Sequence, residues 1–192
     1  MHAAPDVTVS PLVAADEADF VAAVRASRAL HRPWIDLADS HERFAAVLER
    51  LSRDDQEAYL LRHHCDALVG YVRVSNVVYG AFRSACLGYG AFAGHEGRGL
   101  MTRGLQTVID LAFSELGLHR VEANNQPSNA RSLALVQRLG FSREGFSPNY
   151  LMVDGAWRDH ERWALRNEAI EARPSASGRV EAPSTAGGLD AL

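Results

Sequence analysis

The sequence contains no lysine: all 20 of its basic residues are arginines. A phosphate-binding P-loop requires a lysine after its glycines, so a nucleotide site of that type is excluded. Arginine presents a planar guanidinium at every fixed positive charge, a shape that suits phosphate and carboxylate. Because 24 acidic residues outnumber the basic ones and the net charge is -4, the composition also argues against a nucleic-acid partner.

Cysteine and long apolar runs are scarce as well. The two cysteines, Cys65 and Cys86, match no metal-binding spacing, so we expect reduced, buried thiols and no metal site. No apolar run approaches the roughly 20 residues of a membrane span, and the first ten residues lack the pattern of a signal peptide. The sequence therefore predicts a cytoplasmic protein without a membrane partner.

The 192 residues are 47% hydrophobic and 23% charged, which is typical of a single globular domain. We predict that this domain covers residues 5–167. Residues 172–192 are rich in proline, serine, glycine and alanine and contain no aromatic residue. Such a segment cannot bury enough apolar surface to offset the entropy of ordering it, so we expect a disordered tail.

Within the domain, hydrophobic periodicity predicts a mixed α/β sheet with the order β-α-α-β-β-β-α-β-α-β-β. Asp16 begins a helix to about Leu30, Ser40 one to about Arg53, and Asn129 one to Leu139. The longest helix starts at Leu100 and stops at Gly117. A two-residue turn at Asp154-Gly155 predicts a hairpin. Predicted strand segments are Val7–Val13, Ala58–His63, Ala67–Val74, Ser84–Ala93, His119–Asn124, Phe141–Phe146, Tyr150–Val153 and Trp157–Leu165.

A glycine-rich turn between a strand and the longest helix is the most informative segment. Gly97 and Gly99 allow a close approach of the backbone to a ligand, and the first helical turn leaves N–H groups unpaired. The helix dipole favours an anion at the same place, so the segment predicts a phosphate cradle. Glycine turns before helices are common, and this turn alone does not identify a cofactor.

Further motifs follow the same order as in a known family. They are Ser75-Asn76-Val77-Val78, Leu87-Gly88-Tyr89, Gly97-Arg98-Gly99-Leu100-Met101, Arg138-Leu139-Gly140-Phe141 and residues 150–160 (YLMVDGAWRDH). With them the sequence resembles the GNAT N-acetyltransferase superfamily, and within it the RimJ/RimL branch of ribosomal-protein-alanine N-acetyltransferases. The resemblance is strong over residues 68–165 and loose over 5–60. It implies a single-domain GNAT acyl-CoA N-acyltransferase fold with acetyl-CoA as cofactor.

The resemblance also implies where acetyl-CoA binds. Its pantetheine arm would lie between two splayed parallel strands, one ending at Ala91-Phe92 and the other near Asn124. Asn129 would hold the arm. Arg98 and Arg103 either bind the 3′-phosphate or are solvent-exposed surface residues. Gly94 occupies a position at which the family often has Gln or Arg. The pyrophosphate would bind backbone N–H groups of Gly97, Arg98, Gly99, Leu100, Met101 and Thr102.

For the chemistry, the resemblance implies Ser132 as the donor to the leaving thiolate, because Val136 occupies the position of the tyrosine used by many relatives. Alternatively, Ser132 only bonds its own helix backbone. A backbone N–H of Ala91 or Phe92 is expected to hold the oxyanion. Glu122 is the candidate base, with an ion pair to a neighbouring arginine as its alternative role.

Other candidates concern the base and the acceptor. Asn149 replaces a carboxylate found in some relatives, which leaves Asp159 and His160 as further titratable candidates. Asp159 alternatively ties the hairpin or receives an ammonium group, and Asn76 either bonds a peptide backbone or pins its own loop. Four aromatic residues are expected either to line the acceptor groove or to be ordinary core residues: Trp34, Tyr89, Tyr150 and Trp157.

Three functions stay open at this point. The first is acetylation of an N-terminal α-amine of a protein or peptide, by direct transfer in a ternary complex. The second uses a small amine, such as an aminoacyl-nucleotide, an antibiotic or a peptide natural product. The third is a non-catalytic acetyl-CoA-binding module. For each of them the protein would be a monomer or a homodimer.

Overall fold

The computed structural model describes residues 7–63 and 66–168, and it arranges them around one seven-stranded sheet. Five α-helices accompany the strands, and a 3-10 turn at Ala14–Asp16 precedes the first of them. The elements are β1 Val7–Pro11, α1 Glu17–Ala26, α2 Arg28–His31, α3 His41–Leu51, β2 Gln56–His63, β3 Leu68–Val78, β4 Ser84–Ala91, α4 Leu100–Ser114, β5 Arg120–Asn125, α5 Ala130–Arg138, β6 Ser142–Val153 and β7 Ala156–Arg166. This order confirms the predicted one except for the short helix α2, which makes three helices instead of two between β1 and β2. The predicted tail and Cys65 lie outside the described residues.

The strands lie in the order β1-β2-β3-β4-β5-β7-β6, and the β4–β5 pair is parallel whereas every other neighbouring pair is antiparallel. A parallel pair needs a crossover connection, and α4 provides it between β4 and β5. The connection brings the end of β4, the glycine turn and the end of β5 to one edge of the sheet. That edge is where the sequence places the cofactor.

Two hydrophobic clusters cover the sheet. On one face, α4 and α5 pack against β3, β4 and β5 through buried residues such as Leu105, Val108 and Val121. On the other face, α1 and α3 cover the first strands, and Phe20 contacts the rings of Phe44, Tyr71 and Phe92 at centroid distances of 5.3–5.9 Å. Among the described helices, none is long and apolar enough to cross a membrane.

Beyond these helices, the second face of β4, β5 and β7 carries polar and charged side chains. Cys86, Glu122 and Asn124 lie there and are half-buried. Because side chains alternate between the two faces of a strand, their neighbours Leu87, Val121 and Ala123 point into the core under α4. We call this polar surface of β3, β4, β5 and β7 the open face.

Several local predictions are confirmed. Ser40 and Asn129 are N-caps whose side chains accept from the backbone N–H groups of Arg43 (3.4 Å) and Ser132 (3.2 Å). The hairpin turn is present, with positive φ at Asp154 (51°) and Gly155 (75°). Two successive positive φ values are typical of the type I′ turn that Asp-Gly favours.

Two predicted elements have different bounds. The helix expected up to Leu30 breaks at Ser27, because the Ser27 hydroxyl donates to the Ala23 carbonyl (2.6 Å) and accepts from the Ala93 N–H (2.9 Å), which ties it to the end of β4. The segments expected at Phe141–Phe146 and Tyr150–Val153 belong to one strand, β6. Its register against β7 shifts between Ser147 and Leu151, so it continues past Pro148 instead of ending there.

Candidate active site

The glycine turn presents uncapped backbone N–H groups to solvent. Gly97 and Gly99 both have φ of 73°, a region that residues with a Cβ rarely adopt. Gly99 is the N-cap of α4, and no side chain caps this helix end. Leu100, which follows, is buried in the core and fixes the position of the first turn. The free N–H groups therefore point outward from an anchored helix, as an anion site requires.

Glu96 places a negative charge immediately before this turn. Its carboxylate accepts a hydrogen bond from the Gly94 N–H at 2.8 Å. The backbone N–H of Glu96 itself, followed by that of Gly94, lowers the pKa of this carboxyl. A phosphate bound at the adjacent turn would be repelled by this carboxylate.

We expect Glu96→Gln to tighten acetyl-CoA binding about two- to fivefold at low ionic strength, the range of an exposed charge pair. The gain should shrink in high salt because exposed charges are screened there. Isothermal calorimetry at two salt concentrations checks this, with Glu42→Gln on the surface of α3 as a control. Equal affinity of wild type and Glu96→Gln at low salt would contradict the prediction.

Strands β4 and β5 separate at the same edge. Their parallel pairing runs from Ser84–Arg120 to Leu87–Ala123, and β4 then continues to Ala91 without a partner strand on that side among the described residues. Hydrogen-bonding groups alternate along a strand, so Tyr89 and Ala91 turn their backbone N–H and C=O groups towards the gap. The splay leaves a strand edge that an extended, amide-containing ligand can pair with.

One of the two expected oxyanion donors is already used. The Phe92 N–H donates to the Val69 carbonyl at 2.8 Å, and the Phe92 ring is buried in the core. This hydrogen bond within the sheet leaves the Phe92 N–H no capacity for a ligand. The expectation that the Phe92 N–H holds the oxyanion is therefore wrong. The N–H of Ala91 is the remaining candidate.

His31 lies at this gap, and the sequence analysis missed it. Its Nε2 lies 2.8 Å from the Ala91 carbonyl, and because a carbonyl only accepts, Nε2 carries the proton. Burial lowers the pKa of His31, so the ring is neutral near pH 7. A single histidine beside Pro33-Trp34 matches no motif, and only the fold shows that it reaches the end of β4.

Ser132 belongs to a side-chain network across the end of the gap. Its hydroxyl donates to the Asn125 Oδ1 at 2.5 Å and lies 2.8 Å from the Tyr89 hydroxyl, which is 3.1 Å from the same Oδ1. Burial raises the pKa of Tyr89 to about 12, so the phenol keeps its proton. These contacts join β4, β5 and α5, and they replace the expected alternative in which Ser132 bonds its own backbone.

Asn125 was also missed by the sequence analysis. Its Nδ2 is buried and has no partner among the described residues, although its Oδ1 serves two hydroxyls. A buried donor without a partner is costly unless a ligand or a water satisfies it. Val136, in contrast, is fully buried in the core.

Glu122 lies on the open face, on the opposite side of β5 from Ser132. Its Oε1 accepts from the Arg120 Nε at 2.9 Å, and Arg120 also pairs with Glu144. The ion pair named as the alternative role of Glu122 is thus present. Because this contact engages the carboxylate in a structural ion pair, the role of Glu122 as catalytic base stays a prediction without support from it.

The predicted acceptor residues do not form one groove, and Tyr89 belongs to the Ser132 network on the α5 side of the sheet. Trp34 is half-buried near the end of β5, where the Gln126 Nε2 donates to the Pro33 carbonyl at 3.0 Å and tethers the segment. Asn76, with φ of 54°, lies beside the Cys86 thiol. Trp34 therefore lies at the end of the sheet where the gap opens, whereas Asn76 lies near the start of β4, away from the gap.

The remaining acceptor candidates lie in the β6–β7 hairpin. The Tyr150 ring is 5.9 Å from that of His160, and the His160 Nδ1 donates to the Arg158 carbonyl at 2.9 Å. Burial lowers the pKa of His160. Asp159 accepts from the Asn149 N–H at 2.8 Å, which is the hairpin-tying role named as one of its alternatives. Trp157 is exposed and does not belong to the core.

Arginines flank the glycine turn. The Arg103 Nη2 donates to the Arg98 carbonyl at 3.4 Å, and the Arg138 Nη1 donates to the Thr102 hydroxyl at 3.3 Å. Arg103, Arg138 and Thr102 line a cavity of about 420 Å³ beside the start of α4. Arg138, which the sequence analysis assigned only to a motif, thus joins the candidates for a phosphate contact.

Comparison with known proteins agrees with this architecture. The sequence model of the acetyltransferase (GNAT) domain matches residues 6–142. The probable N-acetyltransferase YjcK of Bacillus subtilis is 34% identical over 127 residues, which are 66% of this chain and 70% of that protein. The [ribosomal protein uS5]-alanine N-acetyltransferase of Escherichia coli is 42% identical over 98 residues, or 51% of this chain and half of that protein.

Solved structures share this fold over most of the chain. RimJ of Mycobacterium smegmatis, in complex with CoA-disulfide, superposes with a TM-score of 0.78 at 28% identity and covers 85% of this chain and 83% of its own. Spermidine N-acetyltransferase of Vibrio cholerae, in complex with CoA and spermine, superposes with a TM-score of 0.74 at 17% identity. The match covers 86% of this chain and 98% of the other and shows a likeness of fold. The chain belongs to the acetyltransferase (GNAT) family and is an acetyl-CoA-dependent acetyltransferase.

Proposed function

We propose that this enzyme transfers the acetyl group to the N-terminal α-amine of a protein or peptide, directly and within a ternary complex. The observation that carries the proposal is the 42% identity to the E. coli uS5-alanine N-acetyltransferase. The likeness to M. smegmatis RimJ at 28% identity supports it. Both alignments leave part of the chain uncovered, so the acceptor has to be tested on this protein.

The residues at the edge of the sheet fit acetyl-CoA. The outward N–H groups from Gly97 to Thr102 suit the pyrophosphate. The edge of β4 beyond its last pair with β5, where the Ala91 carbonyl already accepts from His31, suits the amides of the pantetheine arm. The buried Asn125 Nδ2 offers a donor at the inner end of the gap. Acetyl-CoA supplies the thioester whose acetyl group is transferred.

The transfer then needs a neutral amine, a held oxyanion and a proton for sulfur. An α-amine has a pKa of about 7.7–8.0, so a sizeable fraction is neutral at pH 7 and little basicity is demanded of the protein. The amine nitrogen forms the C–N bond, the C–S bond breaks, the nitrogen loses a proton and the thiolate gains one. Ala91 N–H would hold the oxyanion, and Ser132 would donate to the thiolate.

The positions of Ser132 and Glu122 suit two reactants that approach from different sides. Ser132 lies on the face covered by α5, at the gap between β4 and β5, whereas Glu122 faces the open side. An acceptor on the open face would thus reach the gap from the side opposite to Ser132. In this arrangement the proton leaves the amine on the open side, to Glu122 through water or to bulk water.

A small amine is the second candidate acceptor. E. coli spermidine N(1)-acetyltransferase is 24% identical over 86 residues, and spermidine N-acetyltransferases share the fold. The non-catalytic alternative is not retained, because the family and the relatives named as N-acetyltransferases support an enzyme. The cytoplasmic location and the monomeric or dimeric state stay predictions.

The test is a screen of acceptors with acetyl-CoA. Peptides with an N-terminal alanine, their N-blocked counterparts and small amines including spermidine are incubated with the enzyme. Thiol release is followed and the products are identified by mass. We expect acetylation at the α-amine of the free peptides and none of the blocked ones. Turnover of the amines alone would assign the second candidate instead.

A further inference from the structure

A second cavity lies between the N-terminal helices and the sheet. It has a volume of about 320 Å³ and opens beside β3 and β4. Its lining includes three arginines, Arg43 and Arg50 from α3 and Arg73 from β3, together with Tyr71 and Gly88. We call this space the arginine pocket. Neither the glycine turn nor the Ser132 network contributes to it.

Within the described part of the chain, carboxylates neutralise one of the three arginines. Arg43 pairs with Asp36 at 2.8 Å and with Asp39 at 2.7 Å. Arg73 is half-buried in the middle of β3 and has no hydrogen-bond or ion-pair partner among the described residues. Arg50 donates its Nε to the Ala46 carbonyl, and it too lacks a carboxylate within the described part of the chain.

The Tyr71 hydroxyl stands beside these charges. The positive charges of Arg73 and Arg50 both act on the Tyr71 phenol. The ring is buried, and within the described residues its hydroxyl makes no hydrogen bond. A half-buried guanidinium without a partner is unfavourable, and two guanidiniums beside a free hydroxyl are a favourable setting for a carboxylate.

The pocket lies at a fixed distance from the reacting centre. Gly88 lines it and is the first β4 residue beyond the last pair with β5, whereas Ala91 lies three residues further along. A strand rises about 3.3 Å per residue, which puts the two residues roughly 10 Å apart. A Cβ on Gly88 would meet nothing within 4 Å, whereas one on Gly90 would lie 3.2 Å from the Leu37 Cδ1 and 3.5 Å from the His31 Nε2. The strand surface is therefore open at Gly88, and Leu37 and His31 border the way from there to Ala91.

We propose that the arginine pocket binds a carboxylate of the acceptor, held by Arg73 and Arg50 about 10 Å from the amine that is acetylated. This rests on the proposed function, because it assigns the pocket to the acceptor of that same site. An extended peptide reaches this distance with the side chain of its third residue or with the terminal carboxylate of a tripeptide. A polyamine would instead place positive charge beside two guanidiniums, so spermidine is a poor fit.

The experiment compares peptides that differ in one charge. Ala-Ala-Glu-amide and Ala-Ala-Gln-amide test an acidic side chain, and the free acid Ala-Ala-Gln tests a terminal carboxylate. We expect wild-type kcat/KM to be about tenfold higher for a peptide carrying the carboxylate than for Ala-Ala-Gln-amide, the range of one charge-assisted hydrogen bond. Whichever acid shows the preference identifies the source of the carboxylate.

Variants assign the preference to the pocket. Arg73→Gln and Arg50→Gln should each reduce the preference severalfold and leave kcat/KM for Ala-Ala-Gln-amide within about twofold of wild type. Arg53→Gln removes the same charge near the end of α3 but outside the pocket lining, and it should keep the full preference. If Arg73→Gln lowers the rate for acidic and neutral peptides alike, the pocket does not bind the acceptor carboxylate and the inference is overturned.

A failure of the proposed function gives a different result. In that case no peptide is acetylated, and 6-aminohexanoate and its amide take the place of the peptide pair. A preference for the acid that Arg73→Gln removes would uphold the pocket while refuting the peptide acceptor. Equal rates for acid and amide in both series would overturn the pocket.

Discussion

Gly99→Asp is expected to weaken acetyl-CoA binding roughly a hundredfold, because it affects the cradle in two ways. The residue sits at φ 73°, and a Cβ there would lie 3.3 Å from the Arg103 Nη1, so the start of α4 has to adjust. The carboxylate would also stand among the N–H groups that bind the pyrophosphate, where one negative charge repels another. Isothermal calorimetry with acetyl-CoA measures the loss.

Two controls separate these causes. Gly99→Asn keeps the size of the aspartate, tolerates positive φ and adds no charge, so it should lose about tenfold or less. Gly80→Asp adds the same charge at a loop position that also has φ of 73°, and it should leave the affinity unchanged. Full affinity of a folded Gly99→Asp protein would refute the cradle at this turn and with it the assignment of the cofactor site.

Sequence alone predicted the features that obey local rules. The glycine turn before α4, the Asn129 cap and the Asp154-Gly155 hairpin each need particular residues at consecutive positions, and the structure has all three. Turn and cap chemistry acts over three or four residues, so a single sequence contains it. The order of strands and helices follows from the same short-range periodicity together with the family resemblance.

Features that depend on contacts distant in sequence were not predictable in the same way. Ser132, Asn125 and Tyr89 meet only because β4 lies beside β5 and α5 folds back over both. His31 reaches the Ala91 carbonyl across 60 residues, and Phe92 loses its N–H to a neighbouring strand. No local pattern distinguishes these residues from ordinary core and loop positions.

Charge partners show the same limit. Seen in the sequence, Glu122 and Arg73 are both charged residues in strands. The structure gives Glu122 a partner at 2.9 Å, whereas Arg73 has none among the described residues. The difference depends on which side chains neighbouring strands and α3 place beside these two residues. It reverses the roles that the sequence suggests for them. The carboxylate expected to act is held by an ion pair, and the unremarked arginine is available to a ligand.

Ser132→Ala is expected to lower kcat about ten- to a thousandfold and to change the dissociation constant of acetyl-CoA far less. A hydrogen bond to the leaving sulfur strengthens as negative charge develops there, so its loss acts on the transition state more than on the bound ground state. Ser132 is placed for this because Asn125 and Tyr89 hold its hydroxyl at 2.5 and 2.8 Å. Steady-state kinetics on the best acceptor, with calorimetry for the cofactor, separates the two effects.

The network predicts graded results for its other members. The hydroxyls of Tyr89 and Ser132 and the Asn125 Oδ1 are in mutual contact, and only the two hydroxyls carry protons. Tyr89 can therefore donate to the Ser132 oxygen when the Ser132 proton points to the sulfur. Tyr89→Phe should therefore lower kcat less than Ser132→Ala, and Ser132→Thr, which keeps a hydroxyl, should recover part of the rate. Near-normal kcat in a folded Ser132→Ala enzyme would make Ser132 a structural residue only. The thiolate would then take its proton from water or from Tyr150, and Tyr150→Phe tests the latter.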